Sequence, residues 1–274
     1  MSTSNQSPRI VIVGGGTGGI TVAARLRKAI RKAEVTVIEP SATHYYQPLW
    51  TLVGAGVFNR EATERQEAAV IPRGVRWLQD AVSTFAPEDN VVTTRTGQHV
   101  DYDFLVVAPG IQCNWDKVTG LHESIGRNGV CSNYSFDYVN STWDCIRSFK
   151  GGNAIFTMPA TAIKCGGAPQ KIMYLAEDYF RRQGIRDRTT VIFASPGPSI
   201  FSVAKYRASL ERIVQQRGIQ TRFHHDLIEI RGPKKEAVFR DVESQTTVTL
   251  PYEMIHVTPP MSAPDFVRSS PLAN

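Results

Sequence analysis

The stretch Lys164-Cys165-Gly166-Gly167 puts a thiol beside a lysine, just ahead of a run from Ala168 to Arg182 that reads as a helix. A helix N-terminus and a neighbouring ammonium both favour a thiolate, the form that attacks sulfur electrophiles. The two glycines leave room for a substrate or partner sulfur. A buried structural thiol is the competing reading of Cys165. Cys113, Cys131 and Cys145 complete the 4 cysteines, without C-x-x-C or zinc-like spacing, so neither a metal site nor a disulfide framework is expected. Cys113 follows closely on Gly110, near a second group of chemistry-bearing residues. Cys131 and Cys145 read as structural.

That second group begins with Ile10-Val11-Ile12-Val13, then Gly14-Gly15-Gly16-Thr17-Gly18-Gly19, a helical run from Ile20 to Lys32, and Glu34 to Ile38 ending at Glu39. An apolar strand, a G-x-G-x-x-G turn, an amphipathic helix and a strand closed by an acid make a dinucleotide-binding unit. Gly14 allows the tight turn, Gly16 lets backbone approach a pyrophosphate, and Gly19 lets the helix pack on the strand. Thr17 and Gly18 lie at the helix N-terminus, where free N–H groups receive phosphate oxygens. Glu39 is placed to accept hydrogen bonds from an adenosine ribose. An acid there disfavours a 2′-phosphate, so FAD or NAD fits better than NADP.

Loops at the C-terminal ends of such strands line the ligand crevice. Pro40 and the polar-aromatic Tyr45-Tyr46-Gln47-Pro48 therefore read as cofactor wall. So do Val82, in the extended run Asp80 to Phe85, and Ala108-Pro109-Gly110 after the apolar strand Asp103 to Val107. That strand reads as one of the buried parallel kind. Short helical pieces are expected over Leu49–Val57 and Arg60–Ala69. A meander is expected from Asp80 to Asp101, with a turn at Pro87 to Asn90.

Beyond an irregular linker from Trp115 to Tyr138 and a helix over Val139–Phe149, a second βαβ unit begins: strand Asn153–Met158, helix Ala168–Arg182, strand Thr190–Ala194. Its turn, Pro159 to Gly167, has prolines, β-branched residues and Cys165 where a pyrophosphate would need glycines. One nucleotide cofactor is expected, not two. Helix Val203–Arg217, strand Gln220–His225, three short antiparallel strands and a last apolar strand Met254–Val257 follow, with no closing helix after it.

The expected fold is α/β, a two-Rossmann flavoprotein truncated at its C-terminus. Residues 1–115 form the first half of an FAD-binding domain, 116–255 a second Rossmann-like domain without a glycine-rich turn, and 256–274 a return towards the first. The 274 residues are 42% hydrophobic and 20% charged, a globular composition, with a net charge of +6. No basic run suggests nucleic acid; the excess suits anionic substrates or an acidic lipid surface. No apolar segment is long enough to span a bilayer, and the leader Met1 to Pro8 shows no signal or transit pattern.

The motifs Gly14 to Gly19, Tyr45 to Trp50, Lys164 to Leu175 and His256 to Pro264 resemble those of sulfide:quinone oxidoreductases, above all the mitochondrial branch. The resemblance spans nearly the whole chain from Arg9. It implies FAD on the first domain and sulfide oxidised to persulfide-level sulfur. Electrons would pass to ubiquinone or menaquinone, and the sulfur to a thiol or sulfite acceptor. Two redox cysteines work beside the flavin in that family, and Cys165 matches the first. The second, a Gly-Asp flavin contact and a membrane-binding segment lie beyond the region matching Pro260, so the chain reads as the front portion of such an enzyme. Peripheral attachment is implied, to a bacterial cytoplasmic membrane, or to the mitochondrial inner membrane in a eukaryote. Two alternatives are a type II NADH:quinone oxidoreductase, which needs a second glycine turn, and an inactive FAD-binding fragment.

Overall fold

Ile10 to Val13 have no polar side, the pattern of a strand covered on both faces, and they form the centre of the first of two units. A computed structural model describes residues 7–273; the leader's first residues, Met1–Gln6, and Asn274 lie outside the described residues. One unit comprises residues 1–46, 64–112 and 263–274, the other 47–63 and 113–262.

In the first unit β1 (Arg9–Val13) is followed by α1 (Thr17–Ala29), β2 (Glu34–Ile38), β3 (Thr43–Tyr45), β4 (Glu64–Gln66), β5 (Arg76–Leu78), β6 (Val82–Ala86), β7 (Val91–Thr94), β8 (His99–Asp101) and β9 (Phe104–Val107). A parallel sheet runs β5-β2-β1-β9, and β6-β7-β8 form an antiparallel meander. In register, Ile12 lies between Val37 and Val106. Val11, Val13 and Ile38 pack with Val82, Phe85, Val92 and Tyr102, while Ile10, Ile12, Val35 and Val37 pack with Ala23 of α1.

Four expectations change here. α1 takes in the glycines, starting at Thr17. It stops at Ala29 because the Arg27 guanidinium donates to the carbonyls of Arg31 (3.2 Å) and Ala33 (2.7 Å) and folds the chain back. β9 is an edge strand, which leaves Phe104 62% and Val107 37% exposed; the buried-strand reading missed this because composition does not tell centre from edge. Within Arg60–Ala69, Glu64–Gln66 is a strand paired antiparallel to β3. A one-turn helix, Asp265–Arg268, lays Phe266 on Phe85 with ring centroids 5.9 Å apart, where no closing helix was expected.

The second unit contains β10 (Val130–Cys131), α2 (Val139–Ser148), β11 (Gly152–Thr157), α3 (Ala168–Arg182), β12 (Thr189–Ala194), α4 (Ala204–Gln216), β13 (Gln220–Arg222), β14 (His225–Arg231), β15 (Glu236–Asp241), β16 (Thr247–Pro251) and β17 (Met254–His256). Its parallel sheet runs β10-β17-β11-β12-β13, beside the antiparallel β14-β15-β16. The stretch expected as a linker supplies β10 and buries Leu121, Val130 and Cys131 completely, because β17 offers Val130 and Cys131 a parallel partner. The expected strand Gln220–His225 is broken at His224, whose φ of 62° turns the chain before β14. Glu177 of α3, fully buried, meets Arg181 (2.7 Å), Arg186 (3.1 Å) and Arg217, fixing α3 to the segments that follow it. Among the described residues no helix is long and apolar enough to cross a membrane.

Candidate functional site

The first unit's turn is shaped by what a side chain would strike. Gly14 has a φ of 102°, and a Cβ there would stand 2.4 Å from the Ala108 carbonyl oxygen. A Cβ on Gly19 would stand 1.9 Å from the Gly14 carbonyl oxygen, so only glycine lets α1 sit this close to β1. Gly16 is different: nothing of the protein lies within 4 Å of its Cβ position, and Gly16, Thr17 and Gly18 are exposed. These residues open α1, whose first N–H groups have no intrahelical acceptor. A pyrophosphate fits this cradle of bare backbone and unpaired donors.

Glu39 is positioned by its own backbone and by its neighbours. Its N–H donates to the Leu78 carbonyl (3.1 Å), and its carbonyl accepts from Trp77 Nε1 (2.9 Å). Its carboxylate accepts the Gly15 N–H on Oε2 and the Ser41 N–H on Oε1, each at 2.8 Å. Each oxygen keeps a lone pair for a ribose hydroxyl. Beneath it the β3–β4 pairing brings in two residues the sequence reading left aside. Buried His44 sets Nδ1 3.2 Å from the Gly15 carbonyl oxygen and 3.3 Å from Glu67 Oε2. A carbonyl only accepts, so Nδ1 carries the proton. Glu67 is 1% exposed, and burial, with a smaller push from Glu39, raises its carboxyl to about 7. A signal for this was present in the sequence: Gly15 is a glycine at a position the motif leaves free. A Cβ there would meet Glu67 Oε1 at 2.4 Å and Glu39 Cγ at 2.7 Å.

Of the remaining expected wall, Pro40 is exposed directly after Glu39. Ala108 and Pro109 close on Gly14, and Gly110, with φ 81°, has open space about it. Val82 is buried 96% among Val11, Ile38 and Phe85, a core position (4% exposed). Gln47 and Pro48 belong to the second unit, where Gln47 Oε1 accepts from Lys164 Nζ.

Cys165 lies in that second unit on the loop between β11 and α3, and it is the exposed one of the four cysteines. Its carbonyl accepts the Ala168 N–H (3.1 Å), and Pro169 stands in the first turn of α3, where a missing N–H costs nothing. The loop is tied down at Thr161, whose Oγ1 accepts the Met261 N–H at 2.8 Å. Burial holds the Lys164 ammonium below its usual range, while the Cys113 and Cys165 sulfurs pull the other way. Burial pushes the Cys113 thiol up to about 11, and that thiol donates to the Tyr134 carbonyl at 3.8 Å. Gly166, Met158, Thr161, Ser195, Phe201 and Arg207 line a cavity of about 620 Å³ at the C-terminal ends of β11 and β12. His256 of β17 is fully buried, with Nε2 2.8 Å from Asn133 Oδ1 and 3.2 Å from the Asn133 backbone nitrogen, and is pushed by burial down to about 3. Among the described residues no group of His, Cys, Asp and Glu could hold a metal ion.

The pyridine nucleotide-disulphide oxidoreductase family matches residues 8–136. Over 268 residues the chain is 49% identical to the mitochondrial sulfide:quinone oxidoreductase of Dictyostelium discoideum, covering 97% of this chain and 59% of that protein. This chain is a relative of the sulfide:quinone oxidoreductases. The mitochondrial protein of that name from Mus musculus is 44% identical over 273 residues, 99% of this chain and 61% of the relative. The chain thus spans 59% and 61% of the length of these two relatives. The solved sulfide:quinone oxidoreductase of Aquifex aeolicus superposes with a TM-score of 0.82 at 20% identity, covering 96% of this chain and 61% of that one, a likeness of fold. The expected fold class holds: this is an FAD-binding, Rossmann-type flavoprotein fold.

Proposed function

We propose that these residues carry the flavin site and the first redox cysteine of an enzyme that oxidises sulfide to persulfide-level sulfur and delivers the electrons to a membrane quinone. The observation that carries it is Cys165: an exposed thiol where a second nucleotide would need a glycine turn. In the proposed reaction sulfide attacks a disulfide that joins Cys165 to a second redox cysteine: the new S–S bond makes a Cys–S–S–H group on one cysteine, and the other leaves as a thiolate holding the electron pair that passes on to flavin. Flavin, when bound, supplies the acceptor for the two electrons that leave sulfide. Gly14, Gly16, Thr17, Gly18 and Gly19 hold the pyrophosphate and Glu39 the ribose. On the first unit Pro40 and Ala108-Pro109-Gly110 form the wall, with Val82 in the core behind them. Lys164, fixed by Gln47, keeps a cation beside the loop that receives hydrosulfide. Ubiquinone or menaquinone takes the electrons, and a thiol or sulfite takes the sulfur. Peripheral attachment to the mitochondrial inner membrane follows the mitochondrial names of the relatives.

Anaerobic sulfide added to the flavin-loaded protein tests this. Bleaching of the flavin band in the wild type, and its loss in Cys165→Ser with flavin still bound, is the expected pair of results. Bleaching that persists in Cys165→Ser removes Cys165 from the reaction. Bleaching by NADH but not by sulfide supports the NADH:quinone reading, and flavin that ignores both supports a binding fragment.

A further inference from the structure

Glu67 has one partnered and one unpartnered carboxyl oxygen, both inside the protein. Oε2 lies 3.3 Å from His44 Nδ1; Oε1 is buried with no hydrogen-bond partner. It fills the space a Cβ on Gly15 would need, 2.4 Å from that position, and Gly15 is the residue whose N–H is held by Glu39 Oε2 at 2.8 Å. Two acids therefore converge on one residue of the pyrophosphate turn, one committed to backbone donors and the other to almost none. Titratable groups face Glu67 from each packed element: Glu39 from the end of β2 and His44 from β3. On β4, Arg65 stands opposite His44 in register and donates to the Glu64 carbonyl at 2.6 Å. A buried carboxylate with one free oxygen, beside a second carboxylate, is strongly disfavoured as an anion. An adjacent pyrophosphate would disfavour it further.

We propose that Glu67 is the proton-holding second acid of the adenosine site, so that binding the dinucleotide takes up a proton at Glu67. With Glu67 neutral, Glu39 alone of these two acids presents a negative charge to the ribose. Its Oε2 accepts from His44, which in turn holds the Gly15 carbonyl and with it the path of the turn. Ionised Glu67 adds a negative charge under a site that must receive two phosphates. The proposal rests on the FAD site and not on the sulfide chemistry, so failure of either leaves the other standing.

Calorimetric titration of the flavin-free full chain with FAD, at pH 7.5 in two buffers of different ionisation enthalpy, counts the protons bound. The wild type takes up a fraction of a proton, and its affinity falls about tenfold from pH 6 to pH 8.5, the change that one unit of pKa coupling gives. Glu67→Gln, which keeps the shape and stays neutral, takes up none and binds with a flat pH profile. A merely structural role would change affinity without changing proton number. The proposal is overturned if the wild type takes up no proton, or if Glu67→Gln takes up as many. Should that variant not fold, His44→Gln decides: uptake must survive it, since uptake lost with the imidazole belongs to His44.

Discussion

Two alanine substitutions in the same turn should fail in different ways. In Gly19→Ala the methyl lands 1.9 Å from the Gly14 carbonyl oxygen, where contacts below 3.0 Å do not persist, so α1 must back away from β1 by about 1 Å. Overpacking of this kind costs ~1–3 kcal/mol, and replacing a helical glycine returns ~1 kcal/mol. A contact so far below 3.0 Å takes the upper end of that cost, so the net loss is about 2 kcal/mol, or roughly 4–8 °C in Tm for a domain of this size. In Gly16→Ala the methyl meets no protein atom within 4 Å, and the φ of −64° suits alanine. Alanine is the poorer N-cap by ~0.5–1 kcal/mol, and the less flexible unfolded chain offsets ~0.4–1 kcal/mol. Flavin-free stability should therefore stay within about 0.5 kcal/mol of wild type. The same methyl occupies the path of the pyrophosphate, and losing one charge-assisted hydrogen bond, ~1.5–3 kcal/mol, weakens FAD binding about 10- to 100-fold. Thermal melts of flavin-free protein and fluorescence titration with FAD separate the two effects. Wild-type affinity in Gly16→Ala would show that this backbone does not face the pyrophosphate, and an unchanged melt in Gly19→Ala would refute the close packing.

Two further predictions concern the second unit. Burial raises the Glu177 carboxyl, but hydrogen bonds from Arg181, Arg217 and Arg186 outweigh it and hold it below its usual range. Its contribution is present above the unfolded value of 4.5 and fades as pH falls through the folded value, so Glu177→Gln should cost about 3 kcal/mol at pH 7 in urea unfolding, with the gap to wild type closing in acid. His256 stays neutral when folded, held at about 3 against 6.5 unfolded, so its contribution is complete above pH 6.5 and is lost as pH falls below it, by about 1.4 kcal/mol per unit. Comparing wild type with His256→Gln at pH 7 and pH 5.5 should show the gap narrowing by about 1 kcal/mol; a constant gap would mean the imidazole is reached by water.

What could be read from the sequence was what neighbours along the chain decide. Gly14 and Gly19 are forced by contacts within one strand–turn–helix, and α3 announces itself by periodicity, so both stand as read. β10 could not be foreseen: a two-residue strand exists only because β17 returns from far along the chain to pair with it. The same holds for His44 and Glu67, which meet under Gly15 through the β3–β4 pairing across an intervening segment that folds with the other unit. Cys165 was found by its neighbours in sequence. The exposure that separates it from the buried Cys131 and the half-buried Cys113 and Cys145 is a property of packing.

The open side of β9 bears on how the first unit can associate. Its backbone offers a row of N–H and C=O groups to any extended segment in reach, flanked by the bare ring of Phe104. The stretch carries no charge of its own, and its guards stand at the ends. Asp103 is held by the Arg9 N–H at 2.7 Å and by the Arg9 guanidinium at 3.0 Å, and Pro109 cannot donate. An incoming strand would thus have a window of only four residues, Phe104 to Val107. That is too short to template a growing stack, yet long enough to seat one partner strand in a single register.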